Sequence, residues 1–269
     1  MVVLPPGTIL QLMYIEARLK RISPGRFIEV GGGRGDLTSL LLKHSWKGTV
    51  YDLSSETCAG LSKRFSSEIA ANRLVVRNDD FLNYPILEKE NDKNNVDLII
   101  SSMMLEHLNS DEEKKFMNYS RLLLRKTGRM VTLIPSSPNH WGIEDDIAGH
   151  YRRYTRNAIF CLFEETGWDN LHMAGLTYPV SNLLLPLSNF LVMRSEKHKV
   201  NLSMQERTKL SGCRKVQFKT QFPNILAALL NRWTLLPLYW VQKLFSSSPN
   251  ALVLYFEATP TIETVRNEA

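Results

Sequence analysis

The sequence predicts an α/β fold: a doubly wound, mostly parallel sheet of about seven strands, with a helical insertion before the last strand. Three observations predict it. Short apolar runs alternate with stretches whose apolar residues recur at helical spacing, the pattern of strands joined by crossover helices. A glycine-rich turn follows the first such run. Finally, Tyr178 to Asn250 forms a tract of roughly seventy residues before the last apolar run, too long for a simple connection.

Ile9, Met13, Leu19 and Ile22 define an amphipathic N-terminal helix that stops before Pro24-Gly25. Arg26 to Gly31 is the first strand, and Leu37, Leu40, Leu41 and Leu42 place a helix after its glycine turn. Thr49 to Asp52 is the second strand; Ser54 caps the helix bearing Leu61 and Phe65. Arg73 to Arg77 is the third, closed by Asn78-Asp79-Asp80. Val96 to Ser101, apolar on both faces, is the fourth. Ser110 with Glu113 reads as a capping box for the next helix, which Gly128 would end, and Arg129 to Ile134 is the fifth strand, stopping at Pro135. Thr155 caps a helix ending at Gly167; Asn170 to Leu176 and Ala251 to Ala258 are the sixth and seventh strands. The core is therefore expected over 1–177 and 251–260, with 178–250 inserted.

Hydrophobic content of 43% and charged content of 22% are those of an ordinary globular protein. Cys58, Cys161 and Cys213 are far apart and make no C-x-x-C pair, which excludes a paired-cysteine zinc site and points to a reducing, cytoplasmic setting. The N-terminus has none of the marks of a signal peptide. The apolar stretch Phe222 to Phe245 is interrupted by Asn231, Arg232 and Pro237, which argues against a membrane span. The net charge is +6, and Arg194 to Lys219, with eight Lys/Arg against two Asp/Glu, holds an excess equal to all of it.

Chemistry concentrates at the strand ends. In Glu29-Val-Gly31-Gly-Gly33-Arg-Gly35 the backbone must turn sharply and approach a ligand, which a Cβ would obstruct. A dinucleotide fingerprint needs a third glycine where Asp36 or Thr38 stands, and a carboxylate there repels pyrophosphate. E-x-G-x-G-x-G suits a cationic sulfonium cofactor. Asp52 can accept from both ribose hydroxyls, and Asp79, with Asp80 as the competing choice, from the adenine amino group.

EVGGGRG, YDLS, NDDF, VDLIISSMMLEHL and LLRKTGRMVTLIPSSP together resemble the ordered motifs of class I S-adenosylmethionine-dependent methyltransferases, whose fold is Rossmann-like. The likeness covers about half the chain and continues through GHYRRYTRNAIFCLFEETGW, which is similar to a segment of many small-molecule members. It implies a cofactor-binding half over 26–135 that takes S-adenosylmethionine and leaves S-adenosylhomocysteine. Glu29, Gly31, Gly33 and Gly35 would surround the methionine part, Asp52 the ribose and Asp79 the adenine edge, with Ser102 or Met103 lining the pocket. Some relatives carry E-x-x-E-H after the fourth strand and bind a divalent cation. Here Met103 replaces the first carboxylate and leaves Glu106 and His107, two ligands, so no metal is expected.

Methyl transfer from a sulfonium mainly requires alignment, and a base only when the acceptor must lose a proton. His107 and His150 are the candidates, His150 ahead of His107; taken singly, such a histidine is more often structural. Tyr151, Arg152 and Arg153 beside His150 are candidate acceptor contacts, and the arginines either bind an acidic acceptor or face water. SSMM stands where nucleobase amino methyltransferases show N/D-P-P-Y/F, which weakens an RNA-directed reading. The inserted leucines beside a basic run favour a small, lipid-like or lipid-linked acceptor, methylated at oxygen, with peripheral contact to the inner face of a membrane; a self-packed lid or a homodimer contact is the competing account. A nicotinamide oxidoreductase and a non-catalytic binding protein of the same fold are the remaining alternatives.

Overall fold

The computed structural model describes residues 3–83, 95–196, 201–202, 206–207, 216, 220 and 222–261. Its centre is a seven-stranded sheet: β1 (Arg26–Val30), β2 (Lys47–Asp52), β3 (Leu74–Asn78), β4 (Val96–Ser102), β5 (Leu124–Pro135), β6 (Trp168–Leu176) and β7 (Val253–Pro260), in the order β3-β2-β1-β4-β5-β7-β6. The pairings from β3 through β5 are parallel, and β7 runs antiparallel to β5 and β6, between which it lies. The chain winds outward from β1 to β3, then resumes on the other side of β1 with β4. The carboxyl ends of β1 and β4 therefore flank the switch point where such sheets bind ligands.

The helices are α1 (Pro6–Leu19), α2 (Asp36–Lys43), α3 (Ser55–Arg64), α4 (Ser66–Ala70), α5 (Ser110–Leu123), α6 (Ile143–Ala148), α7 (Arg156–Thr166), α8 (Val180–Glu196) and α9 (Leu236–Leu244). Alternate strand residues face opposite layers. On one face Phe27, Leu98, Ile100 and Leu133 meet Leu10 of α1, Leu41 of α2 and Tyr239 of α9. On the other, Ile28, Ile99, Met130 and Phe256 meet Phe116 of α5 and Ile159 of α7. A buried carboxylate ties α1 to the sheet: Glu257 on β7 accepts from Arg18 through both oxygens, from Tyr255 at 2.6 Å and from Arg129 at 3.2 Å. Burial pushes its pKa up and these donors, Arg18 foremost, more than reverse that, so it ends below the usual carboxylate range.

Ser54 and Thr155 cap their helices as the sequence implies, and Gly167 ends α7 in the left-handed conformation. Three expectations are corrected. The capping box of α5 is Asn109 with Glu112, one position before Ser110 and Glu113; Glu113 turns inward to accept from Tyr154 and Arg152. Gly128 does not end that helix: α5 stops at Leu123 and β5 begins at once, with Gly128 inside it beside the register shift between Val96 and Leu98. The insertion expected to be helical is only partly so: within it Asn224–Ala228 is a 3-10 turn followed by further turns, and regular helix resumes at Leu236.

Gln242 of α9 fastens the inserted tract to the core, accepting from the Thr177 amide at 2.9 Å and donating to the Leu10 carbonyl at 3.2 Å. No described helix is long and apolar enough to cross a membrane. Of the basic tract, Arg194 and Arg207 are described; Lys197, Lys199, Lys209, Arg214, Lys215 and Lys219, with Cys213 and Phe218, lie outside the described residues.

Candidate active site

A cavity of about 1130 Å³ opens at the carboxyl ends of β1 to β5. Its floor is the glycine turn. Gly31 and Gly33 have φ of 83° and 49°, and a Cβ on Gly32 would come within 2.5 Å of Val50. Side chains are thus excluded from the turn for two reasons, backbone conformation and close packing. Gly32 was not singled out in the sequence, though it stands in the same motif. Gly35 is not part of the lining; it begins α2 in the left-handed conformation, and its missing side chain makes room for Leu61 and Phe65.

Glu29 sits beneath this turn, buried, and accepts from Thr38 at 2.7 Å. Burial pushes its pKa up to about 8, with Asp52 and Asp36 adding to the rise and the Thr38 bond opposing it. Asp52 ends β2 and accepts from the amides of Gly33 at 3.2 Å and Ser54 at 2.9 Å, which fixes its carboxylate against the turn. Asp79 and Asp80 both line the cavity. Asp80 is committed to its own turn, accepting from Leu82 and Asn83, whereas Asp79 accepts only the neighbouring Asp80 amide among the described bonds. Ser102 and Met103 line the opposite wall; Met103, with φ of 53°, turns the chain sharply out of β4. The residues expected around the cofactor, Gly35 apart, are therefore brought to one cavity.

The side opposite the glycines holds a titratable cluster. Glu106, in the 3-10 turn Leu105–His107, is fully buried, and neither carboxylate oxygen has a hydrogen-bond partner. His150 Nε2 lies 3.8 Å from its Oε1, and the His107 ring meets that of His150 edge to face at 4.8 Å. Burial pushes Glu106 up to about 7, against the attraction of His150. Burial, then His150, drives His107 down to about 3, against a hydrogen bond with the Gly149 backbone.

His150 Nδ1 is 2.8 Å from Oδ1 of Asp145, which also accepts from Arg153 at 2.9 Å. Burial opposes ionisation of Asp145, but the bonds from His150 and Arg153 outweigh it and hold its pKa low. An ionised carboxylate can only accept, so Nδ1 carries the proton and Nε2 faces Glu106. Asp145 escaped the sequence reading because α6 ends at Gly149 in the left-handed conformation, folding His150 back over a residue five positions earlier.

Of the candidate acceptor contacts, Tyr151 and Arg153 line the cavity. Arg152 is not part of the lining and reaches α5, donating to Glu113 at 2.9 Å and Ser110 at 3.2 Å. The expectation of no metal rested on two ligands; the fold sets His150 beside Glu106 and His107, and their ligand atoms lie within 4.8 Å of one another. The remaining walls are mainly apolar, from Leu184 and Leu191 of α8, Leu226 and Leu230 of the inserted turns, and Leu12 of α1, with Gln11, Glu144, Ser181 and Ser188 among them.

Residues 10–173, more than half the chain, match a family described as methyltransferase domain, and the chain belongs to that family. It is a class I S-adenosylmethionine-dependent methyltransferase, which sets aside the oxidoreductase and non-catalytic readings. No curated protein matches it in sequence. Among solved structures it is similar to a putative sarcosine dimethylglycine methyltransferase from Galdieria sulphuraria: 12% identity over 93% of this chain and 85% of that one, TM-score 0.58. Phosphoethanolamine N-methyltransferase 2 of Haemonchus contortus, with S-adenosylmethionine bound, shares 14% identity over 94% of this chain and 52% of its own, TM-score 0.57. A geranyl diphosphate methyltransferase, also with S-adenosylmethionine, shares 12% over 93% and 84%, TM-score 0.56. These likenesses concern the fold. The cradle itself fits the cofactor: a turn closed to side chains, a buried carboxyl beneath it and a fixed carboxylate at the next strand end.

Proposed function

We propose that this enzyme transfers a methyl group to an oxygen atom of a small, largely apolar acceptor, lipid-like or lipid-linked. The observation that carries this reading is the continuity of one cavity from the glycine turn, past Glu106, His107 and His150, to the leucines of α8 and the inserted turns. S-adenosylmethionine supplies an activated methyl group. Glu29 and the turn at Gly31 and Gly33 hold its methionine part, Asp52 its ribose, Asp79 its adenine edge, and Ser102 and Met103 close the pocket. A hydroxyl must lose its proton as it takes the methyl group, and His150, oriented by Asp145 with His107 beside it, is the group assigned to receive that proton. Tyr151 and Arg153 flank the acceptor's polar end.

The test supplies S-adenosylmethionine labelled in the methyl group to organic-phase and aqueous fractions of a cell extract. Label is expected in an organic-phase ether or ester. Label confined to aqueous metabolites or to RNA overturns the reading. Leu183, Ile225, Trp233 and Leu244 are exposed on the insertion, and in a shallow pocket beside Trp233 three cations, Lys20, Lys43 and Arg232, gather around the single carboxylate of Glu16, leaving a net positive charge that favours an anionic bilayer surface. Co-sedimentation with anionic but not neutral vesicles, lost in Trp233→Ala, is expected; self-association without vesicle binding refutes the membrane contact.

Glu29 gives a separate measurement. Its carboxyl is mostly protonated at pH 7 in the free enzyme, and a cationic ligand favours the ionised form, so binding releases a proton and affinity rises with pH until about 8. Calorimetry of S-adenosylmethionine binding at pH 7 in buffers of different ionisation enthalpy should report release of about one proton, and little in Glu29→Gln. Equal heats in all buffers for the natural chain would exclude this role.

A further inference from the structure

We propose that Glu106, His107 and His150 form a binding site for one divalent first-row transition-metal ion at the acceptor wall of the cavity. The count of ligands is the first argument. One carboxylate and two imidazoles come together from two places in the chain, the turn bearing Glu106 and His107 and the reversal after Gly149 that carries His150, and their ligand atoms lie within 4.8 Å of one another. Metal–ligand bonds of ~2.0–2.2 Å require a closure to roughly 3–3.5 Å, reached by modest side-chain rotations.

The second argument is independent of the first. Glu106 is completely buried, yet both of its oxygens lack a hydrogen-bond partner. Buried carboxylates are normally hydrogen-bonded or bonded to a cation; the ion-pair contact of Glu106 is with His150 Nε2, 3.8 Å away, a gap that an ion bonded to both at ~2.0–2.2 Å would span. Arg153, a buried cation of the site, is already committed to Asp145 and to the Ser136 carbonyl.

The surroundings are those of a metal site. His150 offers Nε2 because Asp145 holds Nδ1 at 2.8 Å, the arrangement in which a carboxylate fixes the tautomer and orientation of a ligating histidine. His107 is likewise held, by the Gly149 backbone. Two imidazoles and one carboxylate select zinc, manganese, iron, cobalt or nickel over magnesium or calcium, which prefer sets made wholly of oxygen. Three protein ligands leave positions open toward the cavity, where an oxygen of the acceptor can complete the shell.

For its place in the reaction this inference rests on the proposed acceptor chemistry, but the ion is detected without it. With the ion bound, His150 is a ligand and the ion promotes ionisation of the acceptor hydroxyl, whose proton leaves to solvent; without the ion, His150 takes that proton. The full chain is stripped with a chelator and titrated with zinc by calorimetry and with cobalt by visible absorption. One equivalent is expected to bind, with cobalt bands of imidazole–carboxylate coordination. Glu106→Gln should abolish binding while leaving the melting temperature of the stripped protein unchanged or higher, since it removes a buried acid that accepts no hydrogen bond. Asp145→Asn, which acts through His150, should weaken binding by ~10–100-fold. His44→Gln, at a histidine bonded to Glu16 and outside the cluster, should bind as the natural chain does. Absence of saturable binding to the natural chain, or binding retained in Glu106→Gln, overturns the site. In either case S-adenosylhomocysteine binding to the stripped protein is measured alongside, so failure of the metal site is distinguished from failure of the methyltransferase reading.

Discussion

Asp52→Asn is expected to lower the affinity for S-adenosylhomocysteine on the order of 100-fold, with unchanged secondary structure. The carboxylate ends β2 at the cavity wall and is held by the Gly33 and Ser54 amides, so its position is set before any ligand arrives. Hydrogen bonds to an ionised group contribute ~1.5–3 kcal/mol each, and the ribose offers two hydroxyls to it. Asparagine keeps the shape and one accepting oxygen but loses the charge, which removes ~3 kcal/mol, a factor of roughly 100. Calorimetry and circular dichroism check both halves. A change below tenfold would remove Asp52 from the ribose site.

The second large effect concerns stability. Arg18→Met should lower the unfolding free energy by ~3 kcal/mol, because removal of one partner from a buried pair leaves the other charge uncompensated. Glu257 is wholly inaccessible, and Arg18 is its bidentate donor; Tyr255 and Arg129 remain and limit the loss. For a chain of this size that corresponds to a fall in melting temperature of about 6–12 °C. The pH dependence follows from the lowered pKa of Glu257. Its contribution is present above the unfolded carboxyl pKa of ~4.3 and is lost as pH falls through the lower folded value. The difference between variant and natural chain should therefore be full at pH 7 and shrink below about pH 4. A difference that persists at the lowest pH where both fold would assign the effect to packing of the Arg18 stem.

The sheet was legible because each strand is a short apolar run ending in a turn residue, and the glycine motif with Asp52 and Asp79 lies at strand ends, where local sequence and site coincide. Helix boundaries were less so. Asn109 and Ser110 both have capping side chains and both precede an acid three positions on; only the inward turn of Glu113 toward Tyr154 selects the first. Gly128 reads as a helix stop when its own chain is considered alone, but the pairing of β5 with β4 decides its conformation. The cluster opposite the glycines was half visible. Glu106, His107 and His150 could be named, but the burial of Glu106, and the reversal at Gly149 that brings Asp145 behind His150, belong to tertiary structure. Arg152 and Arg153, adjacent in sequence, part company for the same reason, one reaching Glu113 and the other Asp145.

Leu176 and Val253 are partners in the pairing of β6 with β7, so everything between them departs from the sheet and rejoins it about one strand spacing, ~4.8 Å, away. Geometrically the whole excursion is an enlarged hairpin. Doubling the length of such a closed loop adds only about 0.6 kcal/mol of closure entropy, so residues ahead of the Gln242 clasp can be lengthened, shortened or exchanged at little thermodynamic expense. The inserted tract can thus be redrawn while the sheet and its glycine turn stay as they are.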